Sequence, residues 1–415
     1  MAPPSTALIT NEAVVLGLLA ATLGAVFWTA SRPSGFWHRF YSYVPALLMC
    51  YLAPAIYNTV GLIDGSASGL YPMARDYLLP AALILFCVAM DIGAVLRLGP
   101  KAVIMFLTGT VGVMLGAVVS LLVMQALFPS VVAGDTWRGM TTVAGSWIGG
   151  GANQAAMKEV FEVDANLFGQ FVAVDVIVAY FWMAILLFLA GRAKQFDRWT
   201  GADTSAIEDL KQRIASYQAE HSRVASMPDL MMIFAVGIGL TGLSHLLAGP
   251  LVDWIRSLPA EWRLQDYSLD SGFFWIVVLA TTFGVVLSFT RARRLEGAGA
   301  SNVGSVLLYI LIATIGMQMD LKALADRPLL LLLGVIWISV HAALMLGVAK
   351  LIRAPLFFMA VGSQANIGGA ASAPVVATAF HPALAPVGVL LAVFGYALGT
   401  YCAYITGLAL QALAG

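Results

Sequence analysis

Four side-chain amides offer this sequence its most distinctive chemistry. Asn153 and Gln154 lie in one glycine-rich stretch, and Gln364 and Asn366 lie in another. The hydroxyls of Ser146, Ser363 and Ser372 accompany them. Amides and hydroxyls both donate and accept hydrogen bonds without carrying charge. Placed in an apolar setting, they can replace the water around an ion or a small solute. The same groups can also satisfy backbone freed by a helix break.

The two stretches are variants of one pattern. Residues 145–161 read GSWIGGGANQAAMKEVF, and residues 362–380 read GSQANIGGAASAPVVATAF. Each begins Gly-Ser, passes through Ile-Gly-Gly and ends on phenylalanine, Phe161 or Phe380. Glycine at this density breaks a helix, costing about 1 kcal/mol per residue against alanine. Interrupted apolar segments at corresponding places in two halves are a pointer to a transporter's binding site. Close helix packing is the competing use of such glycines. The candidate solute-binding set is Ser146, Gly150, Asn153, Gln154, Ser363, Gln364, Asn366 and Gly368.

One acid lies deep in an apolar run: Asp175, within FVAVDVIVAYFW. An ionisable group in mid-membrane costs about 2.5–3.5 kcal/mol on insertion scales and faces protein or water. Its candidate role is ion coupling, with a structural acceptor as the alternative. Asp91 and Asp320 each follow a methionine where an apolar stretch ends, and read as helix-end hydrogen-bonding groups. His245 and His341 stand alone in apolar sequence and read as packed, hydrogen-bonded histidines. Trp147, beside the first break, fits either a pocket wall or ordinary packing. Cys50, Cys87 and Cys402 have no metal-ligand spacing and read as packing residues.

Elements that would position these residues follow from composition. The chain of 415 residues is 60% hydrophobic and only 11% charged, with zero formal net charge. Soluble domains carry about a quarter charged residues, so this chain must sit in lipid. Zero net charge argues against a nucleic-acid partner. The start, MAPPSTALITNE, lacks the basic region of a cleaved signal peptide. A spanning helix needs roughly 20 apolar residues. Apolar stretches occur near 12–30, 44–63, 77–96, 101–128, 136–162, 166–191, 229–250, 272–290, 303–319, 328–352, 355–380 and 384–413. Six lie on each side of a polar segment at 193–228. That segment contains Ser205 and Glu208 with capping-box spacing, and predicts a short amphipathic helix.

Residues 77–100 resemble residues 305–328, so the order of elements occurs twice. Basic loops, which mark the cytoplasmic side, shift by one element between halves. Arg32, Arg39, Arg97 and Lys101 mark the first half; Arg291, Arg293, Arg294, Lys350 and Arg353 mark the second. Five crossings and one re-entrant element per half reconcile the shift with inverted repeats. A crossing helix unwound at its middle is the alternative. The expected architecture is all-α and polytopic, with repeats at 1–192 and 229–415 joined by a cytoplasmic linker at 193–228.

The paired glycine–amide breaks and the Met-Asp helix ends resemble those of a domain-of-unknown-function membrane family. It lies within the superfamily of cation–proton antiporters and anion transporters, which includes sodium–bile acid and sodium–glutamate symporters. The resemblance covers nearly the whole chain, and 145–157 and 362–371 are its most specific pieces. It implies a mobile core holding the broken elements, often moved as an elevator, and a scaffold that often dimerises. Sodium–proton antiporters carry an acidic pair, whereas here Asp175 has Phe394 near its counterpart position.

The expected function is therefore secondary transport of a small, anionic solute coupled to Na⁺ or H⁺. Na⁺/H⁺ antiport is the alternative in that class. A membrane-embedded enzyme or a structural protein is the alternative outside it. HExxH, GxSxG and Walker motifs are absent from the sequence, so no catalytic residue and no enzyme activity are expected. No cofactor is expected beyond Na⁺ as a coupling ion, with Asn153 and Asn366 near its site. The expected partners are the solute, the lipid bilayer and a second copy of the chain, in a bacterial-type inner (plasma) membrane.

Overall fold

The computed structural model describes residues 7–41, 44, 46–204, 207, 224–259, 261, 269–319, 327–381 and 384–414. Its elements are helical: α1 (Glu12–Ala30), α2 (Gly35–Tyr41), α3 (Ala46–Thr59), α4 (Leu70–Val88), α5 (Ile92–Arg97), α6 (Pro100–Leu127), α7 (Pro129–Val132), α8 (Thr136–Val160), α9 (Ala165–Ala190) and α10 (Ala193–Thr200). The second half adds α11 (Met227–Arg256), α12 (Gly272–Ser288), a 3₁₀ segment (Arg291–Ala298), α13 (Ala300–Gly316), α14 (Leu329–Leu351), α15 (Leu356–Ile367), α16 (Gly369–Thr378) and α17 (Ala385–Ala414). Among the described residues, seven helices are long and apolar enough to cross a membrane, or up to nine if bent pairs are counted. The protein is an all-helical, multi-pass membrane protein. The capping box at Ser205 and Glu208, most of the linker helix, and Asp320 lie outside the described residues.

The expected apolar stretches coincide with helices, with one notable shift of boundary. The stretch expected from residue 77 begins at Leu70, because a π-helical turn at Ala74–Leu78 carries the polar Arg75 and Asp76 inside the helix. Loop-side polar residues start the helices. Asn11 accepts from the amides of Ala13 and Val14, and Asp164 from those of Asn166 and Leu167. Ser226 and Asp229 form a reciprocal capping box.

Helices pack into two bundles, and each half of the sequence contributes to both. The first bundle contains α1, α3, α4, α11, α12 and α13. The second contains α6, α8, α9, α14, α15, α16 and α17. Glycine sets the tightest approaches, as it does between membrane helices generally. At Gly284 of α12 an added Cβ would lie 2.6 Å from Cys87 Cβ and 2.8 Å from the Ile84 carbonyl oxygen of α4. At Gly116 of α6 it would lie 2.5 Å from the Trp337 ring of α14. The bundles meet where α4, α12 and α13 face α8 and α17.

Gly284→Leu should force α12 away from α4. The expected loss is about 1–3 kcal/mol from overpacking, read as a lower thermal midpoint in detergent. An unchanged midpoint would show that this approach is not tight in the folded protein.

Candidate functional site

Both glycine-rich stretches fold back on themselves. In α8, Gly150 adopts φ 72° and ψ −175°, a conformation essentially confined to glycine. The chain reverses there. Arg138 Nη1, near the start of α8, donates to the Phe161 carbonyl just after its end, at 2.7 Å. The Trp137 and Phe161 rings lie 5.8 Å apart. The second stretch has the same form, with α15 and α16 as its arms. Phe357 at its start meets Phe380 at its end, ring centroids 5.4 Å apart. Gln364 Nε2 donates across the break to Ser372 Oγ at 2.7 Å. Both elements are helical hairpins.

Their tips meet. Gly150 and Gly369, the last residue of Ile-Gly-Gly in each copy, both have positive φ. A Cβ built on Gly369 would lie 4.0 Å from Gly150 Cα. In the second copy the positive-φ residue is Gly369, one residue after the candidate Gly368. The hairpins reach this point from opposite ends of α17. Gly388 packs on Ala373 and Pro374 of the second hairpin, while Gly395, Gly399 and Gly407 pack successively on Ile148, Gly149 and Phe161 of the first. Gly150, Gly151, Gly368 and Ala370 retain partial exposure, whereas the residues leading up to both tips, 145–149 and 361–367, are buried. The meeting point of the tips is thus partly exposed. Leu308 of α13 borders it, 3.8 Å from a Cβ built on Gly151.

Asn153 and Asn366 make matching clamps. Asn153 Nδ2 donates to the carbonyls of Gly149 and Tyr396, both at 2.9 Å, and its Oδ1 accepts from Thr400 Oγ1 at 2.6 Å. Asn366 Nδ2 donates to the carbonyls of Gly362 and Phe106, both at 2.9 Å, and its Oδ1 accepts from Thr110 Oγ1 at 2.8 Å. Each asparagine thus holds a carbonyl four residues back, a carbonyl on a neighbouring helix, and a threonine one turn along that helix. Of these four carbonyls, that of Gly149 adjoins a break; the other three lie within continuous helices, so each asparagine ties its hairpin to a neighbouring helix.

Asp175 joins the two arms of the first hairpin. Its carboxylate accepts from Ser146 Oγ at 2.6 Å, Trp147 Nε1 at 2.6 Å and Gln154 Nε2 at 2.9 Å. Ser146 and Trp147 precede Gly150, and Gln154 follows it. One buried negative charge therefore fixes the fold-back with three charge-assisted bonds. Trp147 also packs edge-on to Trp337, 5.1 Å between centroids.

Ser363 belongs to a separate chain of bonds. Trp182 Nε1 donates to Ser363 Oγ, which lies 2.8 Å from His341 Nε2, and His341 Nδ1 lies 3.1 Å from the Gly109 carbonyl. A carbonyl only accepts, so Nδ1 carries the proton and Nε2 accepts from Ser363. His245 Nε2 lies 2.8 Å from the Asp76 carbonyl. Asp91 caps α5 through Ala94 and bonds Arg293. Cys50 and Cys87 are buried and reduced, as is the partly buried Cys402.

Gln364 differs from the other candidates. It is 1% exposed, and one atom of its amide, Oε1, is a buried polar atom without a partner. Amide oxygen and nitrogen are interchangeable by rotation, and Ser372 can serve either. The crossing therefore retains one free hydrogen-bonding position. The second hairpin arm also begins there uncapped, since Gly368 supplies no side-chain cap to α16.

Thr110, Thr400 and Trp182 belong to these networks and carry no signal in the sequence, being ordinary residues of apolar helices. Lys158 and Glu159 did carry one: adjacent ionisable residues inside an interrupted apolar segment. Lys158 is buried and bonds Tyr71 Oη at 2.5 Å and Glu159 Oε1 at 2.8 Å. At the other hairpin's base, the α10 residue Asp197 accepts from the Leu356 amide at 2.7 Å. Burial raises the Asp197 carboxyl above its ordinary pKa, while the Leu356 bond opposes the rise.

Two helical hairpins whose tips meet inside a multi-pass helical membrane protein define the architectural class. The chain belongs to the family described as "Protein of unknown function (DUF819)", whose model matches residues 17–413. It is also similar to the uncharacterized membrane protein YjcL of Bacillus subtilis (strain 168), with 24% identity over 381 residues. That match covers 88% of this chain and 90% of YjcL.

Asp175→Asn would turn an NH₂ group toward donors that now meet a carboxylate. The expected loss is about 1–3 kcal/mol, seen as a lower thermal midpoint. Unchanged stability would remove Asp175 from its bracing role. Gly150→Ala should cost about 1–3 kcal/mol from backbone strain, with its Cβ 3.1 Å from the Tyr396 ring. A wild-type midpoint for this variant would contradict the backbone reversal at Gly150.

Proposed function

We propose that this protein is a secondary transporter that binds a small anionic solute where the two hairpin tips cross. One observation carries the reading: the tips meet at a partly open point beside the unpartnered amide position of Gln364. Second arms of both hairpins begin at this point. Helix N-termini offer free amides and partial positive charge to a carboxylate or phosphate. Asn153 and Asn366 support the hairpins, while Gln364, Gly150, Gly151 and Ala370 line the solute's place. Na⁺ or H⁺ drives accumulation. Na⁺/H⁺ exchange draws less support, because Ser146, Trp147 and Gln154 already engage Asp175.

The two halves act as inverted repeats, and the hairpins open toward opposite faces. The basic residues Arg97, Lys101, Lys350 and Arg353 support a cytoplasmic base for the second hairpin. Lys101 Nζ reaches the Arg353 carbonyl there, at 2.9 Å. The bundle containing both hairpins slides as an elevator against the other, which also provides the homodimer contact.

Proteoliposome uptake of radiolabelled mono- and dicarboxylates, with imposed Na⁺ or pH gradients, tests the function. Wild-type protein should accumulate at least one, and Gln364→Ala should lower uptake about tenfold, equivalent to about 1.4 kcal/mol at 25 °C. Full uptake by that variant would move the site elsewhere; no uptake of any carboxylate by wild type would remove the anion assignment. Single cysteines at Pro129 and Arg353, in a background without native cysteines, should react with an impermeant reagent from opposite faces. Reaction of both from one face would contradict the inverted arrangement.

A further inference from the structure

We propose that Glu159, at the base of the first hairpin, is a proton-binding site whose charged form ties that hairpin to the other bundle. Lys158 and Glu159 lie on the hairpin arm that carries Asn153 and Gln154. Tyr71 and Arg75 lie on α4, in the opposite bundle. Glu159 Oε1 accepts from Tyr71 Oη and from Lys158 Nζ, and Lys158 Nζ also donates to Tyr71 Oη. Arg75 Nη1 lies 3.7 Å from Glu159 Oε2. The Glu159 side chain is 12% exposed and that of Lys158 7%.

The surroundings make one carboxylate the pivot. On α4, Arg75 is also paired with Asp76 at 2.7 Å. On α11, His245 holds the Asp76 carbonyl. On α12, Phe273 lies under the Arg75 guanidinium. On α9, the Phe168 ring faces Lys158. Just beyond the arm, Glu162 acts on Glu159 through space and Asp164 acts on Lys158. Glu159 is the carboxylate shared by Lys158, Tyr71 and Arg75, and so a charged group that joins the bundles. A proton on it removes the negative charge opposing Lys158 and Arg75, and leaves two cations facing across the interface. A buried ion pair is seldom kept for stability alone, since its desolvation offsets its attraction. The tie breaks on protonation, so acid frees the hairpin arm and alkali holds it.

This inference rests on the proposed motion of one bundle against the other, but its test needs no solute. Spin labels at Ala67, on the first bundle, and Ser130, on the second, report the distance between bundles in nanodiscs. Wild-type protein should show one distance at high pH and a second population growing as pH falls, by up to about tenfold in ratio per pH unit for one proton. Glu159→Gln should show the second population at every pH. Tyr71→Phe, which keeps the charge but removes the shared hydroxyl, should move the midpoint to higher pH. A pH-independent distance in wild type, or an unaltered pH response in folded Glu159→Gln, would overturn the proposal. A pH-dependent distance in a protein that transports none of the carboxylates would uphold this site and refute the solute assignment.

Discussion

A helix that ends inside a bilayer leaves backbone groups that lipid cannot satisfy. This protein has two helical hairpins, reversed at Gly150 and Gly369, in an apolar setting, and their tips meet. Much of its second bundle answers that constraint. Asn153 bonds the Gly149 carbonyl beside its break, Asn366 bonds the Gly362 carbonyl one turn back in its arm, Thr400 and Thr110 hold the two amides, and Asp175 ties the arms of the first hairpin. α6 and α17 present the partner carbonyls from Phe106 and Tyr396. The hairpins are thus held by polar contacts within protein, and their tips are left with room.

The supports and the opening divide the polar residues into two groups. Groups with all their bonds made fix geometry: Asn153, Asn366, Ser363 and Asp175 belong here. Gln364 keeps a free position, and the tip glycines present backbone rather than side chain. A solute site needs both kinds, because a recognition group is selective only when its frame is rigid. Thr400 links the frame to the interface, lying 3.0 Å from Thr281 of the opposite bundle.

The all-helical, multi-pass character and the two glycine-rich interruptions were legible in the sequence, because apolar length and glycine density are local properties. The fold-back of 145–161 was legible only through the shifted basic loops, a long-range signal. Partners of the asparagines were not legible. Thr110 and Thr400 are separated from them by 256 and 247 residues, and nothing in their own surroundings marks them. The role of Asp175 also changed in weight. Its sequence showed an acid in an apolar run, whereas its three donors depend on how the hairpin closes. Lys158 and Glu159 were visible as charges in an interrupted apolar segment, but their meaning required Tyr71 and Arg75 from another bundle.

The most direct test concerns access to the crossing. A single cysteine at Ala370, on a tip and partly exposed, can be reacted in sealed proteoliposomes with an impermeant maleimide applied inside or outside. Reaction from both faces, at rates that shift in opposite senses when the pH outside is changed, is the result expected of a site that alternates between sides. Reaction from one face only at every pH, or from neither, would mean that the hairpin tips form a fixed structural joint and that no solute passes through them.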